Sequence, residues 1–319
     1  MKHYFITNPA AGKKNSCELL SESIHLVCED KNVCYEIYET KGVRDATAFV
    51  KQVCENNTDG EKLRFYACGG DGTLGEVVTG AVNYPFASVG LIPKGTGNDF
   101  VRNFTKKELL FDIAAQLDGE DASIDVLSCN DMYAINMINI GFDCEVVKKM
   151  MKIKRFPLVP SKLAYILGLI ITLIKKPGIR ADISINGGEP VREELLLTTF
   201  ANGAYCGGGF HSNPLASLSD GRLDSLLVSN VTRLKFISLV GDYKKGTHLS
   251  EKFKKIIRNK KCDEIRLAFE KHTNVCVDGE IINVKELVLS VLHGAITFRV
   301  PKGALPIAEH LSAKETVRA

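Results

Sequence analysis

At 319 residues the chain can build one large domain or two ordinary ones, each with its own hydrophobic core. It is 45% hydrophobic and 25% charged, and 41 Lys and Arg against 38 Asp and Glu leave a net charge of +3. That balance excludes a dedicated nucleic-acid binder, which carries a strong basic excess.

The first third alternates strand and helix. Strands are predicted at 2–7, 33–39, 63–68 and 87–92, with helices at 16–29, 44–56 and 73–82 between them. That order implies a parallel sheet wound on both faces. From about 123 the pattern changes to short alternating segments: Tyr133–Ile140, Ile179–Ile185, Glu194–Ala201, Leu223–Val228, Glu264–Phe269, Val275–Val277, Leu287–Val291 and Ala295–Val300. Turn signals such as Asn186-Gly187-Gly188 and Asp220-Gly221 separate them, as in an antiparallel β-sandwich. Helices are predicted near 161–175 and 232–258. The fold class is thus an α/β N-terminal domain with a parallel sheet, followed by a mainly antiparallel β-sandwich domain. Ten cysteines without a CxxC pair suggest neither zinc nor a disulfide framework, and are read as reduced thiols of a cytosolic protein. No signal peptide is read at the N-terminus. The apolar run Leu163–Ile174 is shorter than the roughly 20 residues that span a bilayer.

Four polar loops fall at the carboxyl ends of the predicted parallel strands: Asn8-Pro9-Ala10-Ala11-Gly12, Thr40, Gly69-Gly70-Asp71-Gly72-Thr73 and Gly95-Thr96-Gly97-Asn98-Asp99. That edge of an open α/β sheet is where ligands bind. Glycines let backbone N–H groups approach phosphate oxygens, and the following helix adds its positive end. Asp71 and Asp99 offer the oxygen ligands that Mg²⁺ prefers, while Thr73 and Thr96 offer hydroxyl donors. Each loop alone reads equally well as an ordinary turn; four at one edge do not. GxxxxGK[ST] is absent.

NPAAGK, CGGDGTLGEVVTG and LIPKGTGNDFVRNF, in this order, resemble the diacylglycerol kinase catalytic domain of the bacterial lipid kinase family, which sphingosine and ceramide kinases share. ANGAYCGGGFHSNPLASLSDGRLD and VCVDGEIIN continue the likeness through the second half. GGDGT alone is less specific, since NAD kinases and phosphofructokinases carry it or a relative. The resemblance implies an NAD kinase/diacylglycerol kinase-like fold: a nucleotide-binding domain over 1–124, rejoined by 302–319, and a lipid-binding β-sandwich over 125–301, with the active site in the cleft between them. It implies ATP as donor, contacted by Asn8, Pro9, Ala10, Ala11, Gly12, Thr40, Gly70, Asp71, Gly72, Thr73, Leu74, Gly75, Glu76 and Thr96. Asp71 and Asp99 would organise Mg²⁺·ATP, Asp125 would join their network, and Asp278 or Glu280 would be the catalytic base. A structural Mg²⁺ would sit on Asp220 with backbone oxygens of Ser217 and Arg222. Two departures stand out: Gly75 where the family usually has Asn, and Lys94 where it often has an apolar residue.

The implied function is transfer of the γ-phosphate of ATP to a membrane lipid, diacylglycerol first. The alternatives are phosphatidylglycerol or a sphingoid base, a soluble substrate such as NAD, or a non-catalytic regulator. Anionic headgroups are the expected partners, through Lys162, Lys175, Lys176 and the cations of 244–261, at the inner face of the membrane; nucleic acid is not. A homodimer stays open, and so does a substrate contact by His211.

Overall fold

A computed structural model describes residues 1–12, 16–153, 167–168, 171–172 and 178–307. Lys162, Lys175, Lys176, most of the apolar run 163–174, and 308–319 of the expected return lie outside the described residues. The chain forms two compact units, one of Met1–Val126, Ser217–Asp220 and the segment from Leu292, the other of Leu127–Ala216 and Gly221–Val291.

In the first unit β1 (Lys2–Thr7), β2 (Tyr35–Glu39), β3 (Leu63–Gly69) and β4 (Ala87–Pro93) alternate with α1 (Ser16–Asp30), α2 (Asp45–Glu55) and α3 (Asp71–Ala81). The strands run parallel in the order β2-β1-β3-β4. Every residue of β3 and β4 is buried, so these strands read as mainly apolar runs rather than alternating ones. Leu20, Ile24 and Cys28, one face of α1, pack with Ile113 and Leu117 of α4 (Ile113–Leu117) on Phe5, Tyr66 and Ile92. Between α2 and α3 the packing is close: a Cβ on Gly80 would lie 2.7 Å from Cβ of Val50.

The return to this unit starts at Leu292, earlier than the expected 302, because the end of the last strand is part of its sheet. In β13 (Glu280–Val300), Thr297 and Phe298 pair in parallel with Ser88 and Val89 of β4. The Phe298 ring then lies 5.4 Å from Phe100 and 5.7 Å from Phe104.

The second unit takes the end of β5 (Glu120–Cys129), then β6 (Met132–Ala134), β7 (Met137–Gly141), α5 (Phe142–Ile153), β8 (Ile179–Ile185), β9 (Val191–Ala201), β10 (Leu223–Ser229), α6 (Arg233–Lys245), β11 (Ile257–Cys262) and β12 (Glu264–Val277). Its strands run antiparallel in the order β11-β10-β9-β7-β12-β13, and β8 pairs with both β9 and β12. Ile138, Phe200, Leu227, Leu267 and Leu289 belong to one core. Phe142 and Val146 of α5 and Phe236, Leu239 and Tyr243 of α6 form a second, against Leu197 and Leu226.

Three expectations for this unit change. The helix predicted over 232–258 ends at Gly246, whose left-handed φ of 77° closes α6; a 3₁₀ turn, Glu251–Phe253, and β11 follow. The run Tyr133–Ile140 is two strands broken at Ile135-Asn136. Helix α5 was not anticipated at all.

Candidate active site

The end of β1 is fastened by one side chain. Asn8 Oδ1 accepts from Ala10 N–H at 2.9 Å, an Asx turn, and Asn8 Nδ2 donates to Thr73 Oγ1 at 3.0 Å. The first loop is thereby tied to the first turn of α3. Gly12 closes it at φ 89°, where a Cβ would come within 2.8 Å of Ser16 Oγ and 3.2 Å of the Lys94 carbonyl oxygen. Thr40, at the end of β2, is buried and donates its N–H to Thr7 O at 2.9 Å.

The two glycine loops touch backbone to backbone. Lys94 N–H donates to Gly69 O at 2.7 Å, and a Cβ on Gly95 would lie 2.6 Å from Gly70 Cα. No side chain fits at that crossing. Asp71 completes the junction: its Oδ2 accepts from Asp99 N–H and its Oδ1 from Phe100 N–H, both at 3.0 Å. The carboxylate thus holds the start of the 3₁₀ turn Phe100–Asn103. Asp99 is 8% exposed, with Arg102 Nε 3.3 Å from its Oδ1. Asn98 adopts φ 47° and donates to Gly95 O at 2.9 Å.

Pro9, Ala10, Gly12, Gly72 and Thr96 remain exposed around this junction, and the N–H groups of the first turn of α3, which helix geometry leaves without a partner inside the helix, belong to the same corner. Such an edge suits an anion. Two of the expected contacts are engaged within the protein. Leu74 is buried in the core, and Glu76 accepts from Arg44 N–H at 3.0 Å and Ala46 N–H at 3.2 Å, capping α2. Gly75 is half-buried, and Lys94 Nζ reaches Ser16 O at 3.5 Å. Asp125 is fully buried; its Oδ1 accepts from Gly294 N–H at 2.7 Å and faces His293 Nδ1 at 2.8 Å. Its visible partners are thus a turn of β13.

In the second unit the Asp-Gly pair makes a two-residue hairpin between Val277 and Glu280, with φ 44° at Asp278 and 97° at Gly279. The Asp278 carboxylate accepts from the N–H groups of Ile135 and Met137 at 2.7 Å and of Asn136 at 3.2 Å. These donors lie at the break between β6 and β7. Glu280, two residues on, is exposed. His211 stacks on Tyr205 at 4.4 Å and fills the space beside Gly246, a packing role. Asp220 stands exposed on its turn, and Arg222 pairs with Asp263 at 3.0 Å. Among the described residues no three His, Cys, Asp or Glu side chains come together as a metal cluster. Any cation would need backbone, phosphate or water oxygens as well.

Sequence reasoning missed Asp143. Burial pushes its carboxyl up to about 6, Tyr243 Oη donates to it at 2.9 Å, and Asn139, Cys206 and Phe210 line the small cavity beside it. The only signal was an acid at the start of an unrecognised helix.

The family model for the diacylglycerol kinase catalytic domain matches residues 2–129, and that for the YegS C-terminal NAD kinase beta sandwich-like domain matches 136–300. The chain belongs to the diacylglycerol kinase-like lipid kinase family. A Staphylococcus carnosus (strain TM300) protein provisionally named a lipid kinase is 29% identical over 282 residues, covering 86% of this chain and 88% of its own. A diacylglycerol kinase of Bacillus subtilis (strain 168) is 27% identical over 289 residues, 86% of this chain and 88% of its own. The fold is shared with a crystal structure of a diacylglycerol kinase from Bacillus anthracis str. Sterne, at TM-score 0.69 and 20% identity over 94% of this chain and 97% of that one. Among the described residues no helix is long and apolar enough to cross a membrane.

Proposed function

We propose that this member of the family transfers the γ-phosphoryl group of ATP to the hydroxyl of a membrane lipid, with diacylglycerol as the acceptor and phosphatidic acid as the product. The observation that carries the reading is the Gly70–Gly95 crossing locked by Asp71, which leaves backbone donors and a helix N-terminus facing one exposed corner. A nucleotide's phosphates need such donors, and side chains would keep them away.

Asp71 and Asp99 are the residues that would hold Mg²⁺. Each Asp71 oxygen accepts one N–H bond and keeps a lone pair, and hard oxygen donors with retained waters suit this ion. When bound it would neutralise charge on the phosphate oxygens. Asp71 also fixes the loop that carries Asp99, so the acids are positioned by the chain before any ligand arrives. Glu280 is assigned as the base that orients the acceptor hydroxyl and takes its proton, late in a loose transition state. Asp278, engaged with three backbone donors, positions that turn. A second, structural Mg²⁺ on Asp220 with the carbonyl oxygens of Ser217 and Arg222 belongs to the same proposal. Chelation should lower the melting temperature of the wild type more than that of Asp220→Ala.

The deciding experiment offers labelled ATP with diacylglycerol, phosphatidylglycerol, a sphingoid base and NAD in mixed micelles. Label in phosphatidic acid alone is expected. Label in another lipid moves the acceptor, label in NADP removes the lipid, and no transfer with intact ATP binding leaves a regulator.

A further inference from the structure

Helix α6 faces the wrong way for a protein that meets only water. Its inward side is built as expected: Phe236, Leu239 and Tyr243 are at most 6% exposed and pack on Phe142, Leu226 and Phe253. Thr232 caps its start, accepting from Lys235 N–H at 3.3 Å, and Gly246 ends it. The opposite side should be polar. Instead Leu234 is 82% and Ile237 56% exposed, and exposed Gly241 continues the same stripe at spacings of three and four residues. A Cβ on Gly241 would meet nothing within 4 Å.

The surroundings are cationic. Residues 233–255 hold seven cations (Arg233, Lys235, Lys244, Lys245, Lys252, Lys254 and Lys255) and two acids, Asp242 and Glu251, a net of 7 − 2 = +5. Both acids are already occupied, Asp242 by Lys252 at 3.2 Å and Glu251 by Lys254. The wider basic run is not one surface: Arg258 pairs with Glu193 from β11, and Lys260 and Lys261 alternate along that strand. The charge that matters therefore gathers about α6 and the turn after it.

We propose that α6 docks flat on an anionic lipid bilayer, with Leu234 and Ile237 entering the acyl boundary and the flanking lysines meeting headgroup phosphates. A helix with an apolar ridge and a cationic border has the composition of an interfacial helix. A second copy of this chain fits worse, because a two-fold contact would set one +5 patch against another. A nucleic acid would leave the apolar ridge unused. The inference rests on the lipid-kinase reading only for its purpose, since a bilayer substrate needs an enzyme that stays at the surface.

The test measures sedimentation with vesicles of phosphatidylcholine alone and of equimolar phosphatidylcholine and phosphatidylglycerol, without ATP. The wild type should prefer the anionic vesicles and let go as salt rises. The double variant L234Q/I237Q should bind about tenfold more weakly or worse, with the salt dependence retained. Gly241→Leu, which lengthens the ridge in open space, should bind several-fold more tightly (an order-of-magnitude expectation from added apolar burial). Turnover of dispersed short-chain diacylglycerol should be the same in all three. Vesicle binding indifferent to L234Q/I237Q, or a dimer in solution that these substitutions dissociate, would overturn the docking while leaving the kinase intact. Vesicle binding that responds as stated, without phosphorylation of any lipid, would sustain the docking and remove the kinase reading.

Discussion

Asp71 and Asp278 are used alike: each spends its carboxylate on backbone N–H groups of a distant segment, and each thereby fixes a turn. Replacing either by Asn turns an amide N–H toward a backbone N–H, at a cost of about 1–3 kcal/mol. Their consequences for turnover should differ. Asp71→Asn should lower kcat by about 10²-fold or more, because a carboxylate that would hold the charge-neutralising Mg²⁺ is lost, and steady-state kinetics with Mg²⁺·ATP will measure it. Near-normal turnover would take Asp71 out of the reaction. Glu280 is exposed, so Glu280→Gln should keep the melting temperature and the ATP affinity while turnover falls, a loss confined to the transition state. Asp278→Asn should show the reverse order, with stability lost first. If Glu280→Gln instead weakened ATP binding, the acid would belong to the nucleotide rather than to the acceptor.

At the level of elements, the two glycine loops separate a packing requirement from a ligand requirement. Gly95→Ala drives a methyl group to 2.6 Å from Gly70 Cα and should cost at least about 2 kcal/mol, visible in thermal unfolding. Gly72 has open space around it, so Gly72→Ala should leave stability equal or slightly higher. Weakened ATP binding by that well-folded variant would support phosphate contact at this loop; unchanged affinity would place the phosphates elsewhere. These loops were legible because β1 to β4 are short, mainly apolar runs separated by helical patterns, and each motif directly follows a strand. The second unit was less so. Helix α5 begins immediately after Gly141, whose φ of 84° turns the chain without any Pro or Asn to mark it. The strand β12 read as two because its register shifts between Ala268 and Thr273. The duty of Asp278 was invisible for a different reason: its partners, Ile135 to Met137, lie some 140 positions earlier, and only folding brings them together.

Across the whole molecule, buried titratable groups set opposing pH trends. Burial lowers His3 and His248 from 6.5 to about 4, so unfolding takes up protons between those values and stability is lost as pH falls through them. Asp143 runs the other way. Its carboxyl is raised from 3.8 to about 6, the native state holds the proton longer, and stability falls as pH rises through that window. Asp143→Asn can still accept from Tyr243 and removes this second trend. Denaturant midpoints should therefore rise for the variant near about pH 7 and converge with the wild type towards about pH 4. A constant difference across that range would mean that Asp143 is charged throughout.

The parallel strand that β4 receives from Thr297 and Phe298 makes the first unit discontinuous in the gene. A truncated product ending at Val126 would contain every phosphate loop yet expose the edge of β4 and the faces of Phe100 and Phe104 that Phe298 covers. Such an open edge invites pairing with other chains, so the fragment should precipitate or swap strands rather than bind ATP. Joining the segment from Leu292 to its end by a designed linker would restore the missing strand. A minimal nucleotide module cut from this protein is thus a splice of separate coding segments, not a simple truncation.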